Sequence, residues 1–322
     1  MKADETRLKA LLEARSQYVV PYFQRAYSWG PSQWRVLYED ILELHEAGST
    51  HDHFLGSMVL LSEAGESNAT LVIDGQQRLV TLSLFLAAIR DAAREPAPAL
   101  ADRLTKILVS DGHEPKVLPT YVDRAAFAQV IARTEDELPP SGIADAYRYF
   151  ATQLAEQPAE FDLARLERIL MAQLSFVAIS LDSEDNPYRI FESLNAKGMP
   201  LTQGDLLRNY FFMRLPTAEH EELYLKLWNP MQVRLGKRFD DFMRDFLVKE
   251  GEFVRPDEVY NGWRRRLGPM SHAQIREVLQ ELSEWSIEYE QLLHPGREPD
   301  QAARKRLDRF TRWSATMGGA LH

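Results

Sequence analysis

Residues 71–82 have the sequence LVIDGQQRLVTL and combine the end of an apolar strand with the start of an apolar helix. The run that ends before Asp74 has the composition of a buried strand, and Gly75 interrupts it. From Leu79 to Ile89 the chain is apolar nearly all round, which is typical of a central, buried helix. The stretch therefore predicts a strand that passes directly into a core helix, whose first turn contains Gln76, Gln77 and Arg78.

The flanking sequence predicts an α+β fold that is predominantly helical. Residues 54–61 (FLGSMVLL) and 69–75 (ATLVIDG) have the pattern of an antiparallel strand pair, and 174–181 (LSFVAISL) has that of a buried strand. We expect residues 17–27 to be extended as well, because Pro21 biases the residue before it toward β geometry. These strands should form one small mixed sheet with covering helices.

The helical segments set the predicted domain organisation. A helix is expected over residues 4–15, and another begins at Gly30-Pro31-Ser32. Residues 96–165 are predicted to form a helical insertion, so that 1–215 would be one domain. Residues 216–322 would form a helical subdomain, and the chain stops inside a predicted helix, so we expect a longer protein that continues beyond it.

Composition limits the class of protein. The chain has 322 residues, 45% of them hydrophobic, which is enough for one large or two ordinary domains. It contains no apolar run of membrane-spanning length and no signal-peptide pattern, which predicts a cytoplasmic protein without a membrane partner. It has no cysteine, which excludes disulfides and thiolate zinc sites. A net charge of -10 argues against a uniformly basic DNA-binding surface, so a DNA contact would need a local patch such as Arg264-Arg265-Arg266, although such a run is more often a solvated helix face.

The first turn of the predicted core helix is a candidate phosphate site. The start of a helix presents unpaired N–H groups and partial positive charge, and Gly75 allows close backbone approach. In an alternative interpretation, Asp74 and Gln77 form a capping box that occupies the same N–H groups. That alternative does not explain why the long polar side chains of Gln76 and Arg78 begin a core helix.

A second polar group lies within the aromatic run VVPYFQRAYSWGPSQW, residues 19–34. Gln24 and Arg25 are adjacent there, and in a regular strand they would face opposite sides unless the segment kinks. An arginine among aromatic rings can bind phosphate with its planar fork or stack on a base, with Tyr27 or Trp29 beside it. Alternatively, Arg25 extends from an aromatic cluster toward a core carboxylate. Two motifs with amide and guanidinium groups at element ends favour a nucleoside triphosphate site.

Four stretches, in this order, resemble the successive motifs of one family: VPYFQRAYSWGPSQWRVLYEDI, HFLGSMVLL, VIDGQQRLVTLSLFLAAI and RIFESLNAKGMPLTQGDLLRNYFF. They are similar to the N-terminal domain of GmrSD-type modification-dependent restriction enzymes, a domain that also occurs in SspE-like defence proteins linked to DNA phosphorothioation. The resemblance covers about residues 17–213. It implies a ParB/sulfiredoxin-like core, nucleoside triphosphate hydrolysis and coupling to the recognition of modified DNA.

The resemblance also implies a set of site residues. Its QR-x-Y motif falls on Gln24, Arg25 and Tyr27, and its DGQQR motif falls on Asp74, Gly75, Gln76, Gln77 and Arg78. Asp74 would orient Mg²⁺ or the attacking water, and Arg78 and Gln77 are the other catalytic candidates.

Further candidates lie outside these two motifs. Asn195 and Lys197 are predicted to bind the nucleotide from a loop, since an ammonium beside Gly198 can reach a phosphate. Tyr22 and Trp29 are predicted to contact DNA.

Three functions stay open from the sequence. The favoured one is an NTPase sensor, with GTP as the suggested nucleotide and Mg²⁺ as its companion, which regulates a nuclease domain elsewhere in the same protein. The second is a non-catalytic module that reads modified double-stranded DNA through Tyr22, Tyr27 and Trp29. The third is a nuclease in its own right, although no HNH pattern is present and we expect that domain to be missing from this chain. Self-association is a further expectation.

Overall fold

The computed structural model describes residues 2–48, 51–62, 69–110, 114–133, 138–181, 202–249, 253–297 and 300–316. The chain divides into two compact units, residues 1–194 and 195–322. The sequence placed a boundary near residue 215, whereas this division assigns the helix Gln203–Met213 to the second unit.

A six-stranded mixed sheet forms the centre of the first unit. Its strands are β1 (Lys2–Arg7), β2 (Gln17–Val19), β3 (His53–Ser62), β4 (Ala69–Asp74), β5 (Val117–Leu118) and β6 (Leu174–Leu181). Their order across the sheet is β1-β6-β3-β4-β2-β5. β3 pairs antiparallel with β4, as the sequence predicted, and it also pairs parallel with β6. The α+β, predominantly helical fold is confirmed.

One buried helix organises the packing beside the sheet. The helices of the first unit are α1 (Leu8–Glu13), α2 (Pro31–Glu46), α3 (Gln76–Ala92), α4 (Pro98–Leu108), α5 (Tyr121–Ala132), α6 (Gly142–Ala155) and α7 (Leu163–Ala172). Every residue of α3 from Leu79 to Arg90 is buried, and α3 packs against α4, α5, α6 and α7. Phe85 of α3 stacks on Phe150 of α6 with ring centroids 4.3 Å apart. The predicted core helix is therefore confirmed.

Two strands lie outside the regions where the sequence predicted them. The helix expected over residues 4–15 begins only at Leu8, and β1 instead pairs antiparallel with β6 at the edge of the sheet. The side chains of β1 are almost all exposed, so no apolar alternation marks this strand. β1 is held by main-chain hydrogen bonds to β6, and these leave no signal in the local pattern of apolar residues. β5 is a two-residue strand within the helical insertion.

The described part of the second unit is helical and contains no strand, as predicted. Its helices are α8 (Gln203–Met213), α9 (His220–Leu223), α10 (Asn229–Leu235), α11 (Phe239–Val248), α12 (Val259–Leu267), α13 (His272–Leu293) and α14 (Gln301–Thr316). A π-helical turn, Tyr224–Trp228, links α9 to α10, and four 3-10 turns lie at Thr217–Glu219, Gly236–Arg238, Pro256–Glu258 and Pro295–Arg297. The fully buried Trp228 and Trp263 contribute to the core of this unit. Among the helices described in both units, none combines the length and apolar character needed to cross a membrane.

Candidate functional site

The candidate site lies where β4 passes into α3. Gly75 precedes the helix in the left-handed conformation, with φ at 92°, and a Cβ there would come within 2.8 Å of Met58 Cγ. Glycine has no side chain to accept a hydrogen bond from the first N–H groups of α3, so in the described structure the helix starts without a side-chain cap at this position. The capping box considered for Asp74 and Gln77 is therefore wrong, because Gly75 occupies the capping position and the Gln77 side chain bonds elsewhere.

Buried glutamines join the aromatic segment to this junction. Gln24 Nε2 donates to the carbonyl oxygen of Ile73 over 3.0 Å. Gln76 Nε2 donates to Gln24 Oε1 over 3.2 Å and to the carbonyl oxygen of Arg25 over 3.3 Å. Both glutamines are buried, and a buried amide needs such partners to offset its desolvation. The two predicted motifs thus lie in direct contact.

Gln77 holds the next part of the aromatic segment. Its Oε1 accepts from the backbone N–H of Ser28 over 2.8 Å and from that of Trp29 over 3.3 Å. Its Nε2 donates to the carbonyl oxygen of Ala26 over 3.2 Å. Both ends of the amide are engaged within the protein, which favours a positioning role. The catalytic role expected for Gln77 stays a prediction.

The aromatic segment turns where an extended strand was predicted. β2 ends at Val19, and the Gln24 N–H donates to the carbonyl oxygen of Pro21 over 3.0 Å, which closes a turn. The extension expected through residue 27 is therefore wrong. The kink lets both Gln24 and Tyr27 contact the β4 and α3 region, which a regular strand would prevent.

The hydroxyl of Tyr27 is bonded inside the protein. It lies 2.7 Å from Thr81 Oγ1 and accepts from Trp34 Nε1 over 2.7 Å. Burial raises the pKa of Tyr27 to about 12, so this phenol stays protonated at neutral pH. Its ring and that of Trp29 pack against the core as half-buried groups.

Charged groups lie beside the uncapped helix start. Arg78 Nη2 lies 3.5 Å from Asp74 Oδ2, and the two side chains are 20% and 25% exposed. Burial raises the pKa of Asp74, although Arg78, the Gly75 N–H and Arg25 act to lower it. Burial also lowers the pKa of Arg78, against the opposite effect of Asp74. Arg25 is thus near enough to influence this carboxylate, and the group contains two cations for one anion.

The Arg78 side chain packs closely against Leu55 and Gly56 of strand β3. Arg78 Nη1 donates to the carbonyl oxygen of Leu55 over 2.7 Å. Gly56 has φ at 103°, and a Cβ at this position would collide with Arg78 Nη1. The pairing of β3 with β6 is irregular between Phe54 and Ser57, at the same place. An isolated glycine within a strand pattern is a signal of such close approach, and the sequence interpretation did not use it.

The family model of the GmrSD restriction endonuclease N-terminal domain matches residues 8–212. The chain belongs to this family. The resemblance inferred from the four motifs is confirmed, and membership gives the chain a role in a restriction system. No protein in the curated set matches the chain.

Helix α5 adds residues to the GmrSD N-terminal domain site that the sequence interpretation missed. Asp123 Oδ2 accepts from the Tyr27 N–H over 2.8 Å and from Thr120 Oγ1 over 2.5 Å. Burial raises the pKa of Asp123, while these two hydrogen bonds lower it. Arg124 Nη1 donates to the Tyr22 hydroxyl over 3.0 Å. About a hundred residues separate Asp123 from Tyr27 and Arg124 from Tyr22, so no local spacing could reveal these two contacts.

Other candidates from the sequence have separate outcomes. Asn195 and Lys197 lie outside the described residues. The described residues contain no group of three or more potential metal ligands. At the start of α8, Thr202 and Asp205 form a capping box, in which the Asp205 N–H donates to Thr202 Oγ1 over 3.1 Å.

Proposed function

We propose that this GmrSD N-terminal domain chain binds and hydrolyses a nucleoside triphosphate, with GTP as the first candidate. In this proposal it is the sensor of a bacterial anti-phage restriction system, recognises modified DNA and regulates a nuclease domain elsewhere in the protein. One observation carries the proposal: the uncapped start of a buried helix lies beside Arg25 and the pair formed by Asp74 and Arg78.

The chemistry of this junction suits phosphate. The first N–H groups of α3 have no side-chain cap at Gly75, and the helix dipole adds partial positive charge there. A guanidinium that is mostly buried binds a phosphate oxygen more strongly than an exposed one, because water competes less. Arg78 meets this condition, since one of its nitrogens is already anchored on Leu55.

Mg²⁺ fits the site only as the companion of a bound triphosphate. Mg²⁺ keeps several waters and takes one or two carboxylates together with substrate phosphates, and Asp74 is the carboxylate that the junction offers. Asp74 would therefore hold the ion, which would offset charge on the phosphate oxygens.

The remaining groups of the junction have distinct proposed roles in hydrolysis. Water attacks the γ-phosphorus, the bond to the bridging oxygen of the β-phosphate breaks, and the products are a nucleoside diphosphate and inorganic phosphate. Arg25 and Arg78 offset the charge that develops on these oxygens, and Asp74 orients the water. Gln24 and Gln76 hold the segment that carries Arg25.

A non-catalytic module that reads modified DNA is the second candidate. This candidate is favoured because the Tyr22 ring contacts the Tyr121 ring and the Arg124 guanidinium at the surface. The two candidates are compatible, because the segment that carries Arg25 also carries Tyr22.

A phosphate-release assay with each of the four NTPs, with and without modified DNA, tests the proposal.

Substitutions of the two arginines test their role in nucleotide binding. Arg25→Ala and Arg78→Ala should each weaken nucleotide affinity about 10- to 150-fold, the loss expected for a charge-assisted hydrogen bond. Arg168→Ala is the matched control, because Arg168 is 64% exposed and lies 3.7 Å from its partner Asp162. Asp74→Asn should reduce turnover more than affinity. The absence of hydrolysis of all four NTPs in both conditions would refute the catalytic proposal.

A further inference from the structure

Aromatic rings and a cation meet at the surface of the first unit. The rings of Tyr22 and Tyr121 have centroids 6.2 Å apart and are tilted by 31°. The guanidinium carbon of Arg124 lies 4.6 Å from the centre of the Tyr22 ring. Tyr121 is 45% exposed, and its neighbour Val122 is 54% exposed. We call Tyr22, Tyr121 and Arg124 the tyrosine shelf.

The charge of Arg124 has only neutral partners in the described structure. Its Nε donates to the carbonyl oxygen of Pro119 over 3.2 Å, and its Nη1 donates to the Tyr22 hydroxyl over 3.0 Å. The neighbouring carboxylate of Asp123 instead accepts from Thr120 and from the Tyr27 N–H. A cation that no described carboxylate neutralises, placed against a partly exposed tyrosine ring, suits a ligand that is both flat and anionic.

We propose that the tyrosine shelf stacks an unpaired base of a DNA strand, with Arg124 beside the strand's phosphates. Base stacking on aromatic rings, combined with a positively charged track, is the common mode of single-strand recognition. The same rings could accept a base extruded from a duplex, because such a base is read partly by stacking between side chains. This inference rests on the proposed function, since it names the surface through which the DNA is recognised.

The open geometry favours a base within a strand over the base of a free nucleotide. Small-molecule sites are concave and enclose about 70–90% of their ligand. The shelf consists of partly exposed side chains, so it would leave much of a free nucleotide in water. A strand continues beyond the stacked base, and its other contacts add to the affinity.

The shelf is connected to the candidate nucleotide site by short links. Tyr22 lies within the turn closed by Pro21 and Gln24, and Gln24 contacts the strand before Gly75. Asp123, next to Arg124, bonds the backbone of Tyr27. A base on the shelf therefore contacts the same segment that carries Arg25. Through this segment, bound DNA can affect the candidate nucleotide site.

Fluorescence anisotropy with three labelled DNA probes of equal length tests the proposal. The probes are a fully paired duplex, a duplex with one bulged base, and the same bulge with an abasic residue. The wild-type chain should prefer the bulged base over both others. Tyr121→Ala should weaken binding to the bulged-base probe about 5- to 150-fold, the loss that alanine substitution of a stacking ring produces. Arg124→Gln should weaken it as well and reduce the salt dependence of binding by about one counterion.

Matched variants control for general effects. Trp285→Ala removes an aromatic side chain that is 52% exposed in the second unit, and Arg168→Gln removes an exposed charge in the first. Neither control should change the preference for the bulged base. Because nearly half of Tyr121 is exposed, Tyr121→Ala should change the melting temperature of the chain only slightly.

The possible results separate this inference from the proposed function. If Tyr121→Ala weakens free-nucleotide affinity but leaves the DNA probes unaffected, the shelf belongs to the nucleotide and the proposal is overturned. Equal affinity for the bulged and abasic probes overturns it too, since stacking requires the base. Loss of bulged-base binding in Tyr121→Ala, with nucleotide affinity unchanged, supports it. That support would stand even if the chain hydrolysed no NTP, a result that would refute only the catalytic proposal.

Discussion

Replacement of Gln77 by alanine separates a positioning role from a catalytic one. Its amide makes three hydrogen bonds to the backbone of residues 26–29, with lengths of 2.8, 3.3 and 3.2 Å. A neutral hydrogen bond contributes about 0.5–1.5 kcal/mol net, and two of these three are long, so we expect a loss of about 2 kcal/mol. The loss should act on local opening of this segment, because α3 itself is held by its buried apolar face.

Amide hydrogen exchange measures this local free energy directly. In Gln77→Ala the amides of Ser28 and Trp29 should exchange about 30-fold faster, the factor that corresponds to about 2 kcal/mol. The core amides of α3 should keep their protection. A residue-level measurement is preferable to a single melting temperature, because a chain with two compact units need not unfold in one step.

A second substitution at the same position sharpens the test. Gln77→Glu keeps an acceptor oxygen for the Ser28 and Trp29 N–H groups, and it replaces the donor to Ala26 with a second, anionic oxygen. It should therefore retain most of the protection that Gln77→Ala loses. Unchanged exchange at Ser28 and Trp29 in Gln77→Ala would refute the positioning role. If NTP turnover also collapsed in that variant, Gln77 would be a catalytic residue.

Three further substitutions test the packing around the site. Tyr27→Phe removes two hydrogen bonds of the hydroxyl and should lower the free energy of unfolding of the first unit by about 1–2 kcal/mol, measured by urea denaturation. An unchanged free energy of unfolding would mean that the hydroxyl is solvated instead. Gly56→Ala should displace the Arg78 guanidinium and reduce nucleotide affinity, measured in a binding titration, toward that of Arg78→Ala. Wild-type affinity in this variant would contradict the close approach of Gly56 and Arg78. Burial tends to raise the pKa of Asp91, but Arg90 and its other partners hold that pKa below its usual range. Asp91→Asn should therefore cost about 3 kcal/mol at pH 7. A lowered carboxyl pKa stabilises the fold fully above the unfolded-state pKa of 3.8, and this stability is lost as the pH falls through the lower folded-state pKa. The difference from wild type should therefore begin to shrink only below about pH 4 and disappear at still lower pH, and a difference constant with pH would contradict the ion-pair role.

Local patterns in the sequence determined the elements that bury an apolar face. The runs before Asp74, in residues 54–61 and in 174–181 predicted β4, β3 and β6, and the apolar stretch after Gly75 predicted α3. Burial leaves a periodic or continuous apolar signal along the chain, so each of these elements could be identified without its neighbours. The order of the four motifs also identified the family.

Tertiary structure alone decided the parts held by polar contacts between distant residues. The exposed edge strand β1 has no apolar alternation, and it exists because β6 offers hydrogen bonds along its edge. The glutamines of the two motifs lie next to each other because the chain turns after Pro21, and their partners lie about fifty residues away. Asp123 and Arg124 contact the same region from a helix about a hundred residues further along the chain. A hydrogen bond depends on where two atoms meet in space, and neither side chain carries a local signal of its partner.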